Sequence, residues 1–309
     1  MRPPARIAVD LLGGDEAPAV VVDGALLACS ADPDLHLLLV GPRDVADEAL
    51  AALPAGDRMR VGVQVAYDAV GMADAPVRAA RHETTVRAAV AAVASGAAQA
   101  FVSAGASGAT VTAAVLGLGR RVRRPALAAT LPAIHGPVVL LDVGGSVENG
   151  PGTLAQHAVL GAGYASAVHG IDRPRIGLLS IGAEAGKGDR VRQRTDRVLA
   201  GTAFPAGGRY VGNVEGYDVS LGGRVDVVVT DGFTGNVLLK GIEGAYALAG
   251  GQMPRETAPR AAALLGVGGT VVVCHGAANG PDVASGLHLA AHLYRIDAVS
   301  RITAAEVYP

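Results

Sequence analysis

The 309-residue chain contains no tryptophan, few aromatic residues, two cysteines and two lysines. Cys29 and Cys274 are far apart and form no C-x-x-C motif, which argues against a disulfide framework or a zinc site and favours a reducing compartment. No run of 18 or more residues is free of polar interruptions, so the sequence predicts no membrane-spanning helix. The N-terminus shows no apolar signal-peptide segment, and we therefore expect a cytoplasmic protein.

The chain also lacks a charge excess of either sign, since its formal net charge is −2. This balance argues against nucleic acid as the main partner, because phosphate-backbone binding needs a marked basic excess. A small anionic ligand needs only a few local donors and stays possible. No metal-binding carboxylate pattern is present, so the sequence predicts anion binding without a metal or cofactor.

Short apolar, β-branched runs alternate with alanine-rich segments of helical length. Such runs suit strands that are buried on both faces of a mostly parallel sheet. The sequence therefore predicts an α/β three-layer sandwich over residues 1–309, a single domain with a cleft between two sub-regions. The predicted strands are 6–10, 35–40, 60–65, 100–103, 138–143, 175–180, 225–230 and 270–275, and the clearest predicted helices are 77–95 and 151–168.

Glycine-rich polar segments follow several of these strands. Ligands of parallel α/β sheets bind where strands end and helices begin, because free N–H groups and the helix dipole attract anions there. An ordinary strand-to-helix turn is the alternative at each position. The candidate ligand-binding residues of these segments are Gly13, Gly14, Asp15, Ser103, Gly105, Ser107, Gly108, Asp142 and Gly144.

Both lysines lie in glycine-rich motifs, whereas the other 24 basic residues are arginines. Lys187 is flanked by glycines in the segment 181–188, and a compact ammonium suits phosphate. A solvent-exposed lysine in a flexible loop is the alternative. The segment 231–240 packs an acid, a hydroxyl, an amide and Lys240 around two glycines, which predicts a ligand site. If Asn236 opens a helix, Lys240 lies one turn further on the same face.

His275 ends a predicted strand and is a candidate of lower rank, because a lone histidine is more often a hydrogen-bonded structural residue than a catalyst.

Taken in order, these motifs resemble the phosphate acyltransferase family, which converts acyl carrier protein thioesters and inorganic phosphate into acyl phosphates. The resemblance implies a fold similar to the isocitrate and isopropylmalate dehydrogenases, and a homodimer. Its motifs are Gly13-Gly14-Asp15 with Pro18, Ser103-Ala104-Gly105 with Gly108-Ala109, Arg124-Pro125-Ala126-Leu127, Leu141-Asp142-Val143-Gly144, Gly182 with Glu184 and Lys187-Gly188, Gly212-Asn213-Val214-Glu215-Gly216, the segment 231–237, Leu264-Leu265-Gly266-Val267 and His275-Gly276.

The chain departs from the family pattern at several positions. The family usually has asparagine at Ala106, Ser146 and Ser180, an aromatic residue at His157 and serine at Ala278. The family's long apolar helical excursion, which is linked to membrane contact and dimer formation, is reduced to about one helix within 245–263. We therefore expect no membrane association and a specialised relative, in a secondary-metabolite pathway rather than bulk lipid synthesis.

The reaction implied by the resemblance is attack of a phosphate oxygen on a thioester carbonyl. In this hypothesis Lys187 and the 103–108 loop hold phosphate, and Asn213 and Asn236 donate amide N–H groups near the carbonyl. Asp231 orients phosphate or accepts its proton, and Lys240 holds Asp231 or a second phosphate oxygen. Further predicted substrate-binding residues are Glu184, Glu215, Thr234 and His275. The acidic carrier protein is expected to dock on exposed arginines, for which Arg120, Arg121, Arg190 and Arg194 are the candidates.

Three alternatives stay open. The chain could be a phosphotransacylase that uses acyl-coenzyme A, which would release coenzyme A as the thiol. It could transfer acyl groups between carriers, which would make product formation independent of phosphate. It could also be a non-catalytic scaffold that binds carrier protein without turnover. A dehydrogenase is suggested by the fold alone, but this chain lacks the carboxylates that would bind the metal of such an enzyme.

Overall fold

The structure is a computed structural model that describes residues 4–71, 73–77, 83–249 and 261–303. Its contacts divide the chain into two compact units. Unit 1 comprises Met1–Arg120 and Arg260–Val299, and unit 2 comprises Arg121–Pro259 and Ser300–Pro309. Each unit is an α/β sandwich in itself, with a buried sheet and helices packed on it.

The strands of the described residues, in chain order, are β1 (Ala5–Asp10), β2 (Leu35–Gly41), β3 (Val61–Val65), β4 (Ala100–Ser103), β5 (Ala126–Leu131), β6 (Val138–Leu141), β7 (Arg175–Leu179), β8 (Arg209–Val214), β9 (Val227–Val229), β10 (Ala261–Leu265) and β11 (Thr270–Cys274). The helices are α1 (Ala19–Ala31), α2 (Arg43–Ala52), α3 (Ala55–Arg58), α4 (Thr85–Ala94), α5 (Ser107–Leu118), α6 (Pro151–His169), α7 (Arg190–Ala200), α8 (Gly216–Leu221), α9 (Gly232–Leu248), α10 (Gly280–Arg295) and α11 (Ala298–Thr303).

The sheet of unit 1 has the strand order β3-β2-β1-β4-β11-β10. Neighbouring strands run parallel except β10, which is antiparallel to β11. β1, β4 and β11 are nearly continuous apolar runs, and almost every residue in them is buried. Burial on both faces explains why these strands show no alternation of polar and apolar residues.

The sheet of unit 2 has the strand order β5-β6-β9-β7-β8. β6, β9, β7 and β8 are mutually parallel, and β5 is antiparallel to β6. The register sets Val229 opposite both Leu141 and Leu178, and Leu179 opposite Val214. The four parallel strands therefore end at one edge of the sheet, which we call the carboxyl edge of unit 2.

The predicted fold class is confirmed, and each of the eight predicted strands overlaps an observed one. The predicted helix 151–168 is α6. The predicted helix 77–95 is not continuous, because residues 83 and 84 are not helical and α4 begins at Thr85, capped by the Thr84 hydroxyl, which accepts the N–H of Arg87. Residues 78–82 of that prediction lie outside the described residues.

Strands β5, β8 and β10 were not predicted. β5 and β10 consist largely of alanine and leucine, which are strong helix formers, and β8 contains a glycine and an asparagine that are rare in strands. The prediction of a helix within 245–263 was wrong at its C-terminal end, because residues 261–263 belong to β10. Residues 250–260 lie outside the described residues, and the cleft between two sub-regions stays a prediction.

Within the described part of the chain, no helix has the length and apolar character needed to cross a membrane.

Candidate functional site

Polar residues follow all four parallel strands at the carboxyl edge of unit 2. Asp142 follows β6, Ser180 follows β7, Glu215 follows β8, and Asp231 lies two residues beyond β9. The sequence motifs around these positions were predicted as ligand loops, and the parallel topology brings them to one edge.

Asp142 is completely buried and holds the turn after β6. Its Oδ1 accepts the backbone N–H groups of Leu127 (2.9 Å), Gly144 (3.2 Å) and Gly145 (2.8 Å). Its Oδ2 accepts the backbone N–H and the hydroxyl of Ser146, both at 2.8 Å. The carboxylate is saturated with donors, so it organises the loop and has little capacity left for a ligand.

The beginning of α9 packs directly against this turn, and two glycines permit the approach. A Cβ on Gly235 would lie 1.9 Å from the backbone oxygen of Asp142, and one on Gly232 would lie 2.1 Å from that of Ser146. The side-chain amide of Asn236 donates to the backbone oxygen of Val143 at 3.0 Å. The helix already begins at Gly232, so Asn236 lies in its second turn and Lys240 still follows one turn later.

Asp231 is buried beside α9 and is held by three groups. Its carboxylate accepts the backbone N–H and the hydroxyl of Thr234, each at 2.9 Å, and forms an ion pair with the Nη2 group of Arg192. Burial alone would raise the pKa of Asp231, but the Thr234 donors and the guanidinium together hold that pKa below its ordinary value. Asp231 is therefore ionised at neutral pH and is a poor proton acceptor.

Arg192 is the site residue that sequence reasoning missed. It lies in the first turn of α7, where Asp189 is the N-cap and accepts the Arg192 backbone N–H at 2.8 Å. Its Nη1 donates to Asp189 Oδ2 at 2.8 Å, and its Nη2 also reaches the hydroxyls of Thr230 and Thr234 at 3.4 and 3.3 Å. The available signal was a cation at a helix N-terminus, where the helix dipole disfavours it unless acids are near.

Lys187 lies on the loop between β7 and α7, and its side chain is exposed. Its stem passes over Gly182, where an added Cβ would lie 3.1 Å from Lys187 Cγ. Within the described residues its ammonium forms no hydrogen bond or ion pair. Gly186 and Gly188 have φ values of 82° and 88°, in the left-handed region that favours glycine.

Asn213 supports this loop from β8. Its side-chain amide donates to the backbone oxygen of Glu184 at 3.3 Å, while its buried Oδ1 has no hydrogen-bond partner among the residues described. The buried hydroxyl of Ser180 is unpaired in the same sense. Buried polar atoms without a protein partner mark a place where a ligand or water completes the bonding.

The Lys187 loop and Asp231 meet through Arg192. A Cβ on Gly188 would lie 2.8 Å from Arg192 Cβ and 2.8 Å from the Ser180 hydroxyl, so the loop touches the arginine closely. Arg192 in turn contacts Asp231. The loops after β7 and β9 thus form one polar cluster around Arg192, which contacts Asp231 directly and the Lys187 loop at Gly188.

Other predicted residues of unit 2 have visible structural roles or lie on its surface. Glu215 is the N-cap of α8, and its backbone N–H donates to Asp218 at 2.9 Å. Lys240 is exposed on α9, one turn beyond Asn236. Arg190 and Arg194 are exposed on α7, and Arg121 is exposed before β5. Their roles toward substrate and carrier protein stay predictions.

The residues predicted in the first half of the chain form a second cluster, in unit 1. β1, β4 and β11 are parallel neighbours, so their loops also meet at one edge. The Ser103 hydroxyl donates to Asp10 at 2.8 Å and accepts the Gly105 N–H at 3.0 Å. Burial raises the pKa of Asp10 above its ordinary value, against the hydroxyl groups and the backbone N–H that stabilise its charge.

Glycine is required where these loops touch. A Cβ on Gly13 would lie 2.6 Å from Asp10 Oδ2, and one on Gly14 would lie 3.3 Å from the Ala104 side chain. The Asp15 backbone N–H donates to the Gly276 oxygen at 2.8 Å, next to exposed His275. Ser107 and Gly108 begin α5, and exposed Arg120 follows it. The 103–108 loop and Lys187 therefore belong to different units.

His157 of α6 is fully buried and differs from the aromatic residue expected there. Its Nε2 bonds to the backbone oxygen of Arg124 at 3.0 Å, and its Nδ1 has no partner in the described residues. Burial lowers the pKa of His157, and the negative charge of Asp142 only partly opposes this. His157 is therefore neutral at pH 7.

Among the residues that the structure describes, no group of three or more histidine, cysteine, aspartate or glutamate side chains could hold a metal ion.

Comparison with known proteins places this geometry in a family context. A family model described as "Fatty acid synthesis protein" matches residues 5–261. The phosphate acyltransferase of Thermobifida fusca is 38% identical, over 98% of this chain and 91% of that protein. The phosphate acyltransferase of Bacillus subtilis is 41% identical, over 78% of this chain and 71% of its own.

Solved structures with the same fold include a phosphotransacetylase from Streptococcus pyogenes, with a TM-score of 0.69 and 15% identity, covering 95% of this chain and 94% of that one. A branched-chain phosphotransacylase from Enterococcus faecalis has a TM-score of 0.66 and 15% identity, covering 94% of this chain and 99% of that one. At this identity the likeness shows the fold alone.

Proposed function

Because the chain belongs to the phosphate acyltransferase family, we propose that it transfers an acyl group from acyl carrier protein to inorganic phosphate. Family membership makes it an acyltransferase whose reaction involves phosphate. The carrier protein as acyl donor is the finer step that we propose. Carrier-protein docking on Arg120, Arg121, Arg190 and Arg194, a homodimer, a cytoplasmic location and a secondary-metabolite pathway stay predictions.

The observation that carries the proposal is the polar cluster at the carboxyl edge of unit 2. It combines the Arg192 guanidinium, the loop that carries the exposed Lys187, and buried polar atoms on Ser180 and Asn213 that have no hydrogen-bond partner among the described residues. A phosphate ion needs donors of this kind, and charge-assisted hydrogen bonds are the strong ones. The cluster follows strands β7, β8 and β9, where parallel α/β sheets bind ligands.

The proposed reaction needs orientation more than an activated side chain. A phosphate oxygen attacks the thioester carbonyl, the new C–O bond forms, and the C–S bond breaks as the tetrahedral oxyanion collapses. The thiolate leaves and takes the proton that hydrogen phosphate carried. Since Asp231 is ionised and held by Arg192, we assign it to positioning the cation and not to accepting the proton. Fixed donors stabilise the developing oxyanion.

Exposed apolar side chains around the same edge support an acyl substrate. Val147, Ile181, Tyr217 and Phe233 lie on the segments that follow β6, β7, β8 and β9, and each is more than half exposed. Val237 lies one turn beyond Phe233 on α9 and is also exposed. Apolar side chains gathered beside a polar site are typical of a binding surface for an apolar group.

Mass spectrometry of acyl carrier protein tests the proposal. Acyl-loaded carrier protein is incubated with the enzyme with and without inorganic phosphate, and acyl-coenzyme A is tested in parallel. We expect phosphate-dependent loss of the acyl group from the carrier protein, together with acyl phosphate. Loss only from acyl-coenzyme A would identify a phosphotransacylase, loss without phosphate would identify carrier-to-carrier transfer, and binding without loss would identify a scaffold.

A further inference from the structure

The guanidinium of Arg192 has donors left over after its protein contacts. A guanidinium carries five N–H groups. In the described structure Nη1 donates to Asp189, and Nη2 is used by Asp231 with the hydroxyls of Thr230 and Thr234. The Nε–H and one N–H of Nη1 have no partner among the described residues.

The position of Arg192 is unfavourable unless it is compensated. The first turn of α7 is the positive end of the helix dipole, and the Arg192 side chain is only 16% exposed. Two carboxylates compensate the charge, and Asp231 is itself fixed by Thr234. Ion pairs of this kind rarely stabilise a protein more than an apolar contact would. The arrangement instead fixes a cation in one orientation.

Arg192 lies next to the Lys187 loop. Gly188 lies against both Arg192 Cβ and the Ser180 hydroxyl, because its left-handed φ and missing side chain permit the approach. Lys187 and Arg192 therefore flank the same loop-to-helix junction, where the residue after Lys187 packs against the Arg192 stem. A planar guanidinium can bind two phosphate oxygens at once, while a lysine acts as a mobile point charge.

We propose that Arg192 is a phosphate-binding residue, whose free N–H groups hold the oxyanion that the Lys187 ammonium attracts. This inference rests on the proposed function and extends that function by naming the group that fixes the phosphate. Asp189 and Asp231 are then positioning residues that orient the guanidinium.

Steady-state kinetics of Arg192→Met and Arg192→Lys test the inference. We expect Arg192→Met to reduce kcat/KM for phosphate by roughly 10- to 100-fold, with KM for the acyl donor within about twofold of wild type. Arg192→Lys should recover part of the loss, because it keeps the charge without the fork. Arg209→Met is the matched control, since Arg209 is exposed at the opposite end of β8.

Calorimetric titration with inorganic phosphate separates this inference from the proposed function. Phosphate binding by wild type that is lost in folded Arg192→Met supports the inference even if no acyl phosphate forms, in which case the proposed function alone fails. Wild-type kinetics and binding in Arg192→Met would overturn the inference and leave the function standing. If Arg192→Met does not fold, Arg192→Lys serves as the test variant. An unchanged KM for phosphate in Arg192→Lys would then overturn the inference.

Discussion

Three aspartates at or just beyond the ends of strands show how strongly residue chemistry depends on distant partners. Asp142 is saturated by donors from its own turn and from Leu127. Asp231 is ionised beside Arg192, whereas burial raises the pKa of Asp10. The sequence predicts that polar residues follow these strands, but their donors lie up to 93 residues away, as for Ser103 and Asp10. The sequence therefore located these loops, but it could not show that the pKa is raised at Asp10 and lowered at Asp231.

The ion pair between Asp231 and Arg192 predicts a pH-dependent loss in Asp231→Asn. The pKa of Asp231 is lowered in the folded state, so its contribution is present above the unfolded pKa of about 3.8 and is lost as the pH falls through the folded value. We expect the free energy of unfolding at pH 7 to fall by about 1–3 kcal/mol, because Arg192 loses its carboxylate partner. Urea unfolding at pH 7 and pH 3 measures this, and a difference that persists undiminished at pH 3 would contradict it.

Buried His157 predicts that the protein loses stability as the pH falls below the ordinary pKa of histidine. Its folded pKa is lowered by burial, so below about pH 6.5 the unfolded chain binds a proton that the folded chain does not. Wild type should lose stability on acidification by up to roughly 1.4 kcal/mol per pH unit from this group. In His157→Phe that component is absent. Urea titrations at pH 7.5 and 5.5 should show a smaller loss for the variant, and equal losses would refute the assignment.

At the scale of elements, α9 shows why two glycines of the same helix differ. A Cβ on Gly235 would meet the backbone of Asp142, whereas one on Gly241 would have no described atom outside its own helix backbone within 4 Å. Gly235→Ala should therefore destabilise the protein by about 1–3 kcal/mol through overpacking. Gly241→Ala, the matched control, should stabilise by about 0.5–1 kcal/mol, as expected of alanine in an open helix position. Thermal unfolding of both variants checks this, and similar shifts of the same sign would contradict the packing at Gly235.

The elements also show which parts of the fold could be predicted. β-branched runs identified parallel strands such as β6 and β11, because burial on both faces removes polar residues from them. β5 pairs antiparallel with β6, and β10 pairs antiparallel with β11. Both are rich in alanine, so only their tertiary partners select the strand conformation. Arg192 was missed for a similar reason, since its partner Asp231 lies 39 residues further along the chain.

At the scale of the whole molecule, each unit has its own cluster of polar loops at the carboxyl ends of parallel strands. The sequence assigned phosphate to both the 103–108 loop of unit 1 and Lys187 of unit 2. Phosphate bound as proposed should slow amide hydrogen exchange in residues 181–192 and 231–236. Exchange with and without inorganic phosphate, read by mass spectrometry, measures this, and protection confined to residues 103–108 would contradict the proposed location.

The proposed phosphate site depends on a lysine on a glycine-rich loop, Lys187, beside Arg192. Its most direct test is the initial rate of acyl phosphate formation against phosphate concentration for wild type, Lys187→Met and the control Arg209→Met. Loss of one charge-assisted contact should lower kcat/KM for phosphate by roughly 10-fold or more in Lys187→Met and leave the control within about twofold of wild type. Wild-type turnover by Lys187→Met at limiting phosphate would contradict the account.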